Sequence, residues 1–224
     1  MIEFNHLRHS FALITIACLL AGRLGAQTVI YSNLAASSSN PVQNWTGALM
    51  LGQSFTAGAS GTISSVSLNL TMSGTATPVY SVELWSDNGG STHLPSALLA
   101  TFVSGQNWSD VYSGSNGVFN ASNTVTFSSA GFTQNYSLTS GASYWLVVSS
   151  TSGSAKAWGV SSTLDGPTAS YSSTTSTWNS ISPAGALGAA VSVSAIPEPG
   201  TYAAFAGLVA LSVAVYRRRS PALH

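Results

Sequence analysis

Val66-Ser67-Leu68-Asn69-Leu70-Thr71-Met72 places an apolar side chain at every second position. A two-residue period matches the pleat of a strand with one face in a core, and no helical period competes with it here. Working outward, Tyr80, Val82 and Leu84 alternate in the same way. That run stops at Asp87-Asn88-Gly89-Gly90, residue types that accept positive φ and close side-chain turns. Further strands are expected over 49–56, 98–103, 124–127, 144–148 and 157–160. From Val29 to about Val193 the text is short apolar alternations punctuated by Gly, Asn, Ser and Pro, with no helical stretch between them. The pattern predicts an all-β domain, an antiparallel β-sandwich or jelly-roll, with Val66, Leu68, Leu70, Val82, Leu84, Leu146 and Val148 pointing inward.

The composition fits a folded body of unusual polarity. Of 224 residues 45% are hydrophobic and only 5% charged, against roughly 25% charged in ordinary soluble domains. Ser, Thr, Gly and Asn supply the polarity, and 6 Trp, 8 Tyr and 8 Phe argue against disorder. The formal net charge of zero hides an asymmetry, because every arginine lies in a terminal segment. Between Gln27 and Ala195 the one fixed cation is Lys156, set against Glu83, Asp87, Asp110 and Asp165. Phosphate backbones are neutralised by clustered Lys and Arg, so no nucleic-acid partner is expected. Cys18, the single cysteine, lies in the N-terminal apolar run, which leaves the body without a thiol or disulfide to lean on.

Both ends read as targeting segments. His6, Arg8 and His9 precede an apolar run from Phe11 to Ala21, and Leu24-Gly25-Ala26 offers a small residue before Gln27. This is a signal-peptide pattern over 1–26, too short to span a bilayer as a helix, which takes roughly 20 residues. At the other end Ile196-Pro197-Glu198-Pro199-Gly200 breaks any preceding strand, because proline lacks the amide donor. An uncharged run from Tyr202 to Tyr216 follows and is stopped by Arg217, Arg218 and Arg219. As a helix the run measures roughly 22 Å, short of a 30 Å hydrocarbon core, a gap that snorkelling arginines partly close. The positive-inside rule keeps those arginines cytoplasmic and the body outside. The expected organisation is therefore a signal peptide (1–26), a β-sandwich surface domain (27–195) and a sorting tail with a hydrophobic helix (196–224).

Pro197-Glu198-Pro199, the hydrophobic segment and the arginine cluster, in that order, resemble the PEP-CTERM sorting signal of exosortase-bearing Gram-negative bacteria. The resemblance implies recognition by exosortase in the inner membrane, removal of the tail, and release or attachment at the surface. It also implies company with extracellular polysaccharide and biofilm. It covers about Ile196 to Arg219 and speaks to address alone. A second resemblance covers much of the body. Gly52-Gln53-Ser54-Phe55-Thr56, the run from Ser81 to Gly90, Pro95 to Thr101 and Gly141 to Val148 look similar to the choice-of-anchor surface domains of type R. That similarity implies a β-sandwich and carries no catalytic residues.

Chemistry-bearing residues are few. His93 is the single histidine of the body, so a Ser-His-Asp triad has only that base to use, and a zinc site lacks ligands. Calcium stays open through Glu83, Asp87 and Asn88, whose oxygens could converge at the turn, although the spacing is not that of an EF-hand and a metal-free turn is the simpler reading. No cofactor is expected. Trp45, Trp108 and Trp178 fall among Asn, Ser, Thr and Gln and are candidate sugar-stacking residues, whereas Trp85 and Trp145 sit in strand-like text and read as core. The leading expectation is a noncatalytic exported surface or matrix protein with exosortase, and exopolysaccharide, as partners. A carbohydrate-binding module is the alternative. A glycoside hydrolase using two of the four carboxylates comes third.

Overall fold

The computed structural model describes residues 27–34, 42–45, 50–72, 79–107, 124–150, 156–161, 167–181, 186–195 and 206–212. Its strands are β1 (Gln27–Ser32), β2 (Val42–Trp45), β3 (Met50–Thr56), β4 (Gly61–Met72), β5 (Val79–Asp87), β6 (Pro95–Asn107) and β7 (Thr124–Ser128). They continue with β8 (Ser137–Leu138), β9 (Ser143–Ser150), β10 (Lys156–Ser161), β11 (Thr168–Ser172), β12 (Thr177–Ile181), β13 (Ala186–Leu187) and β14 (Ala189–Ala195). An eight-stranded sheet runs β1-β14-β4-β10-β13, with β2 joined to β10 and with β7 and β8 joined to β4. A six-stranded sheet runs β12-β11-β3-β9-β5-β6. The registered pairs are antiparallel, so the fold is all-β.

One apolar core draws on both sheets. Ile63, Val66, Leu68 and Leu70 of β4 and Val191 and Val193 of β14 meet Leu51 and Phe55 of β3, Val82 and Leu84 of β5, and Leu146 and Val148 of β9. The seven residues expected to point inward are each at most 1% exposed. A fully buried aliphatic side chain of this kind contributes about 1.5–3 kcal/mol. The alternation changes phase once along β4, between Ile63 and Val66, where its partner changes from β8 to β7. Both Ser64 and Ser65 are part-buried at that step.

Three buried amides surround the step after β13, and one of them, Gln53, joins the two sheets. Gln53, fully buried on the inner face of β3, accepts a hydrogen bond from Leu187 N (2.6 Å) and donates to Ser54 O (2.8 Å). Asn33 donates to Leu187 O (2.9 Å) and accepts from Ala189 N, while its own backbone N–H donates to Ala189 O (2.9 Å). Asn69 accepts from Thr124 Oγ1 at 2.7 Å. The Gln53 and Asn33 side chains hold the step between β13 and β14, and the Asn69 backbone N–H donates to Gly188 O within it (2.9 Å). A Cβ on Gly188, at the centre of that step, would lie 2.8 Å from Asn69 Nδ2 and 3.1 Å from Asn69 Cβ. Burial pushes the Tyr31 hydroxyl of β1 up to about 12, against the opposing pull of its hydrogen bond to Gln53.

The segment after β7 crosses to β6. Phe132 packs on Phe102 with ring centroids 4.6 Å apart, Thr133 N donates to Phe102 O (2.7 Å), and Gln134 Oε1 accepts from Thr101 N (2.9 Å). Part of that edge strand is thereby satisfied rather than left open. The small-residue stretch 186–195, which reads in sequence as a change of composition towards the tail, forms β13 and β14, and β14 lies between β1 and β4. Strands β11 and β12, rich in Ser and Thr, have no counterpart among the expected strands.

Gln27–Ser194 forms one compact unit, and the rest of the chain is assigned to another. Residues 206–212 form a short exposed helix in which Ser212 Oγ donates to Leu208 O (2.8 Å). Among the described residues no helix is long and apolar enough to cross a membrane. Residues 1–26, expected from sequence to be a signal peptide, and Pro197 to Gly200 and Arg217 to Arg219 of the expected sorting tail lie outside the described residues.

Candidate functional site

Strands β5 and β9 each bury one face in the common core and turn the other onto the outside of the six-stranded sheet. On β5 that second face carries Ser81, Glu83, Trp85 and Asp87; on β9 it carries Trp145, Val147 and Ser149. Register aligns Glu83 with Val147 and Trp85 with Trp145, and on the other side Val147 with Gly52 and Ser149 with Met50. Gly52 pairs with Ala169, Met50 with Tyr171, and Tyr171 with Trp178. The result is a second, smaller apolar cluster of Trp145, Val147 and Ala169, flanked by part-exposed Met50, Trp85, Leu94 and Trp178.

The Trp178 ring meets Trp85 edge-on at 5.6 Å and 75°, and Tyr171 at 5.4 Å and 63°. In a flat sheet β12 and β5 would stand four strand spacings apart, about 19 Å. The register also sets Trp178 in line with Ser81, four residues from Trp85. Two indole side chains span only part of that separation, so a ring contact at 5.6 Å requires the sheet to twist and curl toward this face, making it concave. Trp145, Val147 and Ala169 are fully buried at the floor of that curve. A Cβ on Gly52 would lie 3.1 Å from the Trp145 ring, so the absence of a side chain there gives the indole its place.

Each carboxylate on this face is held by an indole. Trp85 Nε1 donates to Glu83 Oε2 (2.8 Å) and Ser149 Oγ donates to Glu83 Oε1 (3.2 Å). Trp145 Nε1 donates to Asp87 Oδ2 (2.9 Å), and Gly89 N donates to Asp87 Oδ1 (2.7 Å). His93 Nδ1 lies 3.2 Å from the same Oδ1. Burial alone would raise the Asp87 carboxyl, but the Trp145 indole, the Gly89 N–H and His93 together outweigh it and hold the group below the usual aspartate value. Asn88 Oδ1 accepts from Gly90 N (3.0 Å) and Leu94 N (3.2 Å), and Gly89 takes a φ of 66°. The turn is closed by its own side chains, as Asx turns are.

Of the residues singled out from sequence, Trp178 lies on the concave face, Glu83 is on it and Asp87 at its end. Trp45 ends β2, and Trp108 lies outside the described residues. The calcium candidates do not converge. Asp87 and Asn88 direct their oxygens to N–H donors of the turn, whereas Glu83 stands four positions back along β5, roughly 13 Å by strand rise. Among the described residues no group of three or more His, Cys, Asp and Glu side chains could hold a metal. His93 and Asp87 do come together through Nδ1, as a triad would require, but among the described residues no hydroxyl is hydrogen-bonded to His93 Nε2, where the nucleophile would stand. Trp85 read as core and is half-buried on the outer face. The parity of Glu83, Trp85 and Asp87, opposite to Val82 and Leu84, was the signal that places them there.

No protein-family model, no curated protein and no solved structure matches this chain.

Proposed function

We propose that this protein is a noncatalytic exported surface or matrix protein, a β-sandwich or jelly-roll body delivered by a signal peptide and handed to exosortase by its tail. The observation that carries the reading is the position of β14. This strand lies inside the eight-stranded sheet and ends at Ala195, two residues before Pro197. A segment destined for removal must contribute nothing to the core, and a cut beyond Ala195 takes no strand from either sheet. Proline on both sides of Glu198 keeps the tripeptide from regular helix or sheet, which suits a segment that must enter an active site extended. The short apolar run and Arg217, Arg218 and Arg219 then act as a transient anchor. A noncatalytic role is supported by Glu83 and Asp87, whose described hydrogen bonds hold sheet and turn together.

The test is made in the native host. Replacing Pro197, Glu198 and Pro199 with alanine should leave a full-length species in the inner membrane, while wild type appears outside lacking Arg217 to Arg219. If both chains distribute and migrate alike, the sorting reading is wrong. Carbohydrate binding is the second reading, favoured by the aromatic concave face, and it predicts retention of the protein on polysaccharide.

A further inference from the structure

We infer that the concave face of the six-stranded sheet is a binding site for neutral polysaccharide, with the ridge Tyr171–Trp178–Trp85 as its platform and Glu83 as its polar anchor. The inference rests on the carbohydrate-binding reading and gives it a place, since only Trp178 of the three candidate tryptophans is described on this face. A pyranose ring offers an apolar C–H face and a rim of hydroxyls that donate as well as accept. Its complement is an aromatic surface bordered by fixed acceptors. Tyr171, Trp178, Trp85 and Met50 are each partly exposed, unlike Trp145 and Val147 beneath them. An ionised carboxylate has about four lone-pair sites. Glu83 uses one on each oxygen, for the Trp85 indole and for Ser149, and keeps the others for hydroxyl donors.

The arrangement is also held rigid. Every member stands on a paired strand, and the two T-shaped ring contacts fix Trp178 against both neighbours, so little ordering is left for a ligand to impose. Charge selects the class. With Lys156 as the one fixed cation between Gln27 and Ala195, an anionic polymer meets no attraction, and a carboxylate at the anchor position repels it. Neutral chains remain.

The experiment uses the full-length chain in mild detergent, with retention measured on cellulose, dextran and galactomannan as neutral matrices and on alginate as the anionic one. Retention is expected on at least one neutral matrix and not on alginate. Trp178→Ala and Tyr171→Ala should each weaken it about tenfold, the scale of a lost aromatic contact. Trp45→Ala and Trp108→Ala should leave it unchanged. Near-ultraviolet circular dichroism of each variant separates a lost platform from a lost fold, and a Trp178→Phe variant that restores most of the retention supports stacking. Retention that survives Trp178→Ala but disappears with Trp45→Ala or Trp108→Ala overturns the placement and spares the carbohydrate reading. Preference for alginate overturns the choice of a neutral ligand. Retention on none of the four overturns the carbohydrate reading and this site together, and leaves the sorting proposal standing.

Discussion

The interior step at Leu187–Ala189 and the concave face of the six-stranded sheet both bury polar side chains, and they do so with different chemistry. Inside, Asn33, Gln53 and Asn69 are neutral amides at 2% exposure or less, spent on backbone groups and two hydroxyls, those of Thr124 and Tyr31. On the concave face, Glu83 and Asp87 are carboxylates held by indole N–H groups at the border with solvent. A neutral amide satisfied at both ends can be enclosed at modest cost, whereas a carboxylate is retained only where donors or water can reach it. The first arrangement fixes the β13–β14 step within the eight-stranded sheet and, through Gln53, ties it to β3 of the other sheet. The second leaves acceptor capacity facing outward.

Breaking the interior side should have the largest effect. Asn33→Leu keeps the volume but leaves Leu187 O and Ala189 N without their partner, and urea unfolding should show a loss of about 3 kcal/mol. That loss should be the same at pH 5 and pH 8, because no charge is involved. Trp145→Phe keeps a buried ring but removes the donor to Asp87 Oδ2, and about 2 kcal/mol should be lost at pH 7.

Asp87→Asn sharpens the comparison through pH. The native carboxyl sits below its usual 3.8, so its contribution is complete above that value and vanishes as pH falls through the lower folded value. The stability gap between wild type and variant, about 1 kcal/mol at pH 7, should therefore shrink below about pH 4 in parallel thermal melts. A gap unchanged down to pH 2 would show that the amide loses packing rather than charge. Glu83→Gln should have the smallest effect, under about 0.5 kcal/mol, since Glu83 is partly exposed and the amide oxygen still accepts one donor. Its consequence is expected in polysaccharide retention instead.

Much of this fold was legible because alternation is a local signal. The expected spans 49–56, 98–103, 124–127, 144–148 and 157–160 correspond to β3, β6, β7, β9 and β10, and Val66, Leu68 and Leu70 fall inside because period two admits one buried face. Strands β11 and β12 escaped because Thr168 to Ser172 and Thr177 to Ile181 hide few apolar residues among hydroxyls. Their ladder is made by the backbone, and side-chain composition does not report it. The stretch 186–195 escaped because small residues suit a crowded interior strand as readily as a linker. At the site, the outward parity of Trp85 could be read beside Val82 and Leu84, but not its contact with Trp178.

The sequence by itself determined that the body is β-rich, which residues of each alternating strand share a face, that the middle carries almost no charge, and that the breakers and arginines stand at the C-terminal end. These are properties of neighbours along the chain. Only the tertiary structure decided which strands adjoin, that β14 closes the eight-stranded sheet between β1 and β4, and that the six-stranded sheet curls until Trp178 reaches Trp85. The physical reason is that every strand here offers the same two-residue period and the same backbone donors, so pairing is set by packing over the whole core rather than by any strand's own text. Asn33 and Leu187 are 154 residues apart, and nothing between them announces the hydrogen bond that joins them.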